Sequence, residues 1–155
     1  GACMNVKEMR EDTRIWFKRA WEKDNLRETY MGRNQDIISQ LSGIGKYDSE
    51  FIPAQTGENS VETKNLEYSD NCRKIEKLID EIARMNVRTN EVISQIDNIK
   101  SRFMLYDRFV RRLTMGQIAI KYHYSTKQAG RYVNKGLDEA RKYITDEEIR
   151  EALYG

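Results

Sequence analysis

Between Glu58 and Met115 the chain has neither glycine nor proline. The two residues that cost a helix most are thus missing from a stretch long enough for several helices. Its apolar residues also keep step. Ile75, Leu78, Ile82, Met85, Thr89, Val92, Ile96, Ile99, Phe103, Tyr106, Val110 and Leu113 recur at alternating steps of three and four, and eleven of these twelve are apolar. That is a seam with a period of about 3.5 residues, as in a coiled coil. Left in water, it would forfeit roughly 1.5–3 kcal/mol for each large side chain, so it needs a partner. The candidates are the N-terminal helical segment folding back and a second copy of the chain, giving a homodimer through the 68–99 helix. The first part of the stripe suits a coiled coil or long hairpin helix. Its last part, 103–113, is expected to pack inward as the first helix of the module that follows.

The rest of the chain is arranged around this run. From Asn5 to Leu41 it is polar and helix-prone, with apolar marks that include Trp16, Phe17, Trp21 and Ile37, and Gly32 is the expected point of division. Residues 42–57, SGIGKYDSEFIPAQTG, hold three of the nine glycines and the single proline, Pro53, which marks a linker loop. The expected class is all-α, in five parts: an N-terminal helical segment (1–41), the linker loop (42–57), a long coiled-coil-like helix (58–99), a helix-turn-helix domain (100–145) and a C-terminal tail (146–155).

The most specific chemical pattern lies at 114–141, TMGQIAIKYHYSTKQAGRYVNKGLDEAR. Ile118 and Ala119 precede a tight corner at Tyr122, His123 and Tyr124, and Ser125 is placed to cap a second helix. Ala119 is small where two such helices cross. Tyr122, Ala129, Val133 and Leu137 mark an inward face, which leaves Thr126, Lys127, Gln128, Arg131 and Asn134 outward. Those are side chains that read base edges and phosphates in a major groove. Arg131 suits guanine O6 and N7, with an internal pair to Asp138 as its alternative. The Ser125 backbone N–H is a further candidate for a phosphate. Arg111, Arg112 and Thr114 flank the approach to the first of the two helices, where phosphate contacts set register. Lys121 and Lys135 are candidates for the same task, as is Asn134. Gly130 gives the second helix a bare side.

Charge supports that placement. The net charge is only +2, but residues 100–144 carry eleven Lys/Arg against three Asp/Glu, a local +8, while 1–99 and 145–155 each sum to −3. A basic block between acidic flanks is the footprint of one module that touches phosphate.

Other classes find little support in the residues. Cys3 and Cys72 form no CxxC or Cys/His set, so neither a disulfide framework nor a zinc site is expected. There is no nucleophile–base pair, glycine-rich phosphate loop or metal constellation, and an enzyme and a cofactor are not expected. His123, the single histidine, reads as a turn residue. No apolar run approaches the ~18–20 residues that span a bilayer. Gly1-Ala2-Cys3 reads as a leftover tag before a start at Met4, without a signal peptide, and a cytoplasmic location is expected.

The charged helix CRKIEKLIDEIARMNVRTNEVISQIDNIKSRFMLYDRFVRRL, then MGQIAIKYHYS, then TKQAGRYVNKGLDEA, resembles small phage-encoded late-gene regulators of the RinA/ArpU type. Their C-terminal module is similar to region 4 of sigma-70 factors. Ile118-Ala119, Tyr122, Ser125, Arg131 and Leu137 fall on the family's features. His123 stands where the corner usually has glycine, and Ala129 where the helix usually has Val or Ile. The resemblance implies a phage or prophage protein that acts in a bacterial host cell and binds double-stranded promoter DNA through its recognition helix. Contact with RNA polymerase stays open. Two alternatives also stand: an adaptor for DNA packaging, like a small terminase subunit, and a protein-interaction module that uses the coiled segment.

Overall fold

The computed structural model describes residues 4–44 and 60–155, and among them every regular element is a helix. In order these are α1 (Val6–Phe17), α2 (Arg19–Ile44), α3 (Val61–Ser94), α4 (Ile99–Leu105), a wide π turn (Tyr106–Val110), α5 (Met115–Tyr122), α6 (Thr126–Ala140), a 3-10 turn (Arg141–Tyr143) and α7 (Asp146–Tyr154). Contacts divide the chain into two compact units, one of residues 1–20 with 84–155 and the other of 21–83.

In the second unit α2 runs antiparallel to the first part of α3. Lys23 pairs with Glu81 at 2.9 Å, Arg33 with Glu67 at 2.5 Å, and the buried Asn71 amide donates to Asn34 at 3.0 Å. Ile37 and Leu78 are buried here. The stripe therefore finds its partner over this stretch within the chain. The Asn34–Asn71 bond fixes the register, because any slip leaves two buried amides unpaired. Gly32 does not divide the segment: it lies inside α2 with open space where a side chain would stand. The break falls at Lys18, whose N–H is shared between the Arg14 and Ile15 carbonyls. Ser42 and Gly43, expected in the linker, continue α2, and 45–57 lies outside the described residues.

The first unit is built on caps that the sequence announces. Capping boxes start α1 (Asn5 with Glu8), α5 (Thr114 with Gln117), α6 (Ser125 with Gln128) and α7 (Thr145 with Glu148). Each satisfies two backbone N–H groups that a helix start leaves bare. In this unit the seam holds only as far as Ile96. Thr89, Val92 and Ile96 are buried, but Ile99, Phe103 and Tyr106 are 55%, 50% and 40% exposed. The 103–113 segment packs inward on α6 and α5 as expected, but not through the stripe: Ser101, Met104, Leu105, Asp107 and Phe109 face the core in place of Phe103 and Tyr106. Two features reset the phase. α3 ends at Ser94, and Asn98 caps a new helix by accepting from the Ser101 N–H at 3.0 Å. The π turn then adds a residue, with the Arg111 N–H reaching the Tyr106 carbonyl at 3.1 Å.

α6 forms the centre of this unit. Ala129, Val133, Gly136, Leu137 and Ala140 are its buried side. It packs on α4, α5 and α1, and α1 also packs on α7. Gly136 permits the α4 crossing, since a Cβ there would lie 2.8 Å from Leu105 Cδ1 and 3.3 Å from Ser101 Cβ. α1 is thus part of the core around α6. Its Trp16 and Phe17 are buried, and the Phe17 ring lies 5.1 Å from that of Phe109. Arg10 grips Asp138 with two bonds of 2.9 and 2.7 Å. Residues 146–155, expected as a tail, form α7, which Arg88 ties down through Glu148 at 2.9 Å and the Tyr143 carbonyl at 2.8 Å.

Candidate nucleic-acid interface

The corner before α6 is shaped by backbone bonds. His123 ends α5 in the left-handed conformation, at φ 60° and ψ 41°. The Tyr124 N–H reaches back to the Ala119 carbonyl at 2.9 Å, closing the helix end in the way that usually requires glycine. Ser125 is extended and starts α6 through its side chain, which accepts from the Gln128 N–H at 3.1 Å. Ile118 and Ala119 are buried under this corner, as the sequence suggested.

α6 then shows two distinct sides. Thr126, Lys127, Gln128, Arg131 and Lys135 are exposed, opposite the buried Ala129, Val133 and Leu137. Among the described residues Lys127, Arg131 and Lys135 take part in no ion pair. The alternative in which Arg131 pairs with Asp138 is overturned, because Asp138 is held by Arg10.

Other expected contacts are engaged internally. Asn134 is half-buried and its Oδ1 accepts from Arg14 at 3.1 Å, so it fastens α6 to α1. Lys121 donates to Asp107 at 2.8 Å. Arg111 stands 3.5 Å from the same carboxylate and keeps more than half its surface in water. Arg112 is exposed with φ at 60°. Thr114 is exposed, with its hydroxyl spent on the Gln117 N–H at 3.1 Å. The Ser125 N–H, offered above to a phosphate, donates to Gln128 Oε1 at 3.1 Å. Gly130 faces open space and assists no packing.

Asp107 organises this side of the unit from within. Its side chain is 3% exposed and also accepts from the Tyr122 hydroxyl at 2.5 Å. Burial pushes its pKa up, but the Lys121 and Tyr122 hydrogen bonds, with the Lys121 and Arg111 charges, outweigh burial and hold it below the ordinary carboxylate value. Tyr122 responds in the opposite direction and is pushed up to about 12 by burial and by its bond to Asp107. Nothing in the spacing of residues announces this network, which joins the π turn to α5.

Sequence reasoning also missed Lys100. It is exposed in the first turn of α4, with its Nζ 5.5 Å from the Tyr124 ring centroid and 5.6 Å from that of Tyr132. The start signal at Asn98 would have placed it there. Among the described residues no cluster of three His, Cys, Asp or Glu side chains is placed to hold a metal ion, and no helix is long and apolar enough to cross a membrane. In comparisons with protein families, curated proteins and solved structures, none matches this chain.

Proposed function

We propose that this protein is a sequence-specific DNA-binding regulator of phage or prophage late genes. In this reading α5, the His123 corner and α6 form a helix-turn-helix, and α6 enters the major groove. One observation carries the proposal: a capped helix of fifteen residues, held rigidly on its apolar side, turns an unpaired cationic face to solvent. Lys127, Gln128, Arg131 and Lys135 lie at helical spacing on that face. Arg131 there is suited to guanine edges, the Gln128 amide N–H to a single acceptor, and the lysines to phosphate. The resemblance to late-gene regulators of the RinA/ArpU type supplies the transcriptional part of the reading.

The test is fluorescence-polarisation titration of labelled duplexes from the DNA that flanks the protein's own gene, with scrambled duplexes beside them, over a salt series. Binding should weaken steeply with salt as counterions leave the phosphates, and flanking DNA should bind far tighter than scrambled. Equal affinity for both would remove the sequence-specific part, and no binding at low salt would remove DNA altogether. The stoichiometry of the same titration counts the copies on each site.

A further inference from the structure

On the exposed side of α6 a recess of about 240 Å³ is lined by Tyr124, Gln128, Arg131, Tyr132 and Lys135. The two tyrosine rings stand 5.3 Å apart, inclined at 45°. Lys100 approaches both rings from α4, its Nζ 5.5 Å from the Tyr124 centroid and 5.6 Å from that of Tyr132. The nearness of Tyr124 holds the ammonium above its ordinary value, and that of Lys100 holds the Tyr124 hydroxyl below its own.

The recess contains donors almost without exception. A tyrosine hydroxyl donates as well as accepts, so Tyr124 and Tyr132 have O–H groups to give. Gln128 Oε1 is occupied by the Ser125 N–H at 3.1 Å and the Ser125 hydroxyl at 3.2 Å. What Gln128 offers the recess is its amide N–H. No carboxylate lines the space; Arg131 and Lys135 line it with positive charge, and Lys100 stands beside its two tyrosine rings. Convergent charged and neutral donors suit an oxyanion with several acceptor oxygens.

We propose that Lys100, Tyr124 and Tyr132, together with Lys135, clamp one backbone phosphate of the duplex beside Arg131 and the base-reading side of α6. This rests on the DNA reading above. The clamp fixes where α6 sits along the groove and takes no part in choosing the sequence.

The experiment compares wild type, Lys100→Met, a Tyr124→Phe/Tyr132→Phe double variant and Lys127→Ala, which lies outside the recess. Each is titrated with specific and scrambled duplexes over a salt series, with thermal melting to check the fold. Lys100→Met should weaken binding to both duplexes by the same factor and lower the salt slope by about 1. The phenylalanine pair should weaken both duplexes without changing the slope. If Lys127→Ala weakens binding while Lys100→Met changes neither affinity nor slope, the clamp is overturned and the DNA reading stands. A loss confined to the specific duplex would make Lys100 a base contact and overturn the clamp equally. Wild type that binds neither duplex would remove both. A further arm titrates inorganic phosphate and follows the tyrosine ring resonances. Shifts at millimolar phosphate, with unaltered DNA binding by Lys100→Met, would mean a free-anion site and overturn the backbone assignment.

Discussion

Asp107 is a buried carboxylate whose partners are not buried: Lys121 and Arg111 keep 42% and 54% of their side-chain surface in water. Removing its charge therefore strands no cation in the core, and the cost is that of lost charge-assisted bonds. Asp107→Asn should cost about 2–3 kcal/mol, read as a lower midpoint in urea. The pH dependence has a defined sign. The folded pKa lies below the unfolded value, so the contribution is complete above about pH 4 and is lost as pH falls through the folded pKa. Wild type and Asp107→Asn should differ most near neutrality and converge in acid. His123, like Arg112, is under local tension, since a side chain in the left-handed region is strained. His123→Gly relieves that strain but gives back unfolded-chain entropy. A net gain of ~0.5–1 kcal/mol is expected in thermal melting, with DNA affinity unchanged.

Within α6 two glycines six residues apart have opposite roles. Gly130 meets nothing within 4 Å, and Gly130→Ala should stabilise by up to about 1 kcal/mol through helix propensity. Gly136 faces Leu105, which is fully buried and cannot move aside. Gly136→Ala should cost ~1–3 kcal/mol. Chemical denaturation of the two variants separates these roles. On the outward side, Arg131→Ala should weaken specific DNA binding by ~1–3 kcal/mol while leaving the melting curve in place.

The Ser125 cap, the corner and the two sides of α6 were legible, because each depends on residues within a few positions, as with Ala129, Val133 and Leu137. The end of the coiled-coil seam near Asn98 was legible too, but not that the stripe beyond it turns outward at Phe103 and Tyr106. The π turn was not legible, because it is held by Asp107 bonding to Lys121 and Tyr122, fourteen and fifteen residues away. Asn134 and Lys121 are polar and well spaced for DNA. Only tertiary partners, Arg14 and Asp107, reveal that they are occupied.

At the scale of the whole chain, the basic block and the N-terminal helix belong to one cooperative unit. Trp16 is 1% exposed, and the Arg19 guanidinium lies 3.8 Å over its ring. Burial lowers the Arg19 pKa to about 10, and that cation is satisfied by the Met85 and Trp16 carbonyls and the Thr89 hydroxyl. Trp16→Ala should therefore cost ~3–5 kcal/mol. It should also reduce DNA binding wherever the unit begins to melt, although Trp16 is buried and α1 has no part in the proposed contacts. Circular dichroism and polarisation followed on one temperature ramp would show the two losses together.

Because α1 lies against α6, 120 residues separate Arg14 from the Asn134 it grips. On the ribosome, the first helix emerges long before the surface it covers has been translated. Its tryptophan and phenylalanine must then wait, bare or held by a chaperone, until α6 has been made. A message cut short before α6 would yield a chain whose opening helix has nothing to close upon, which makes truncated products the natural targets of proteolysis.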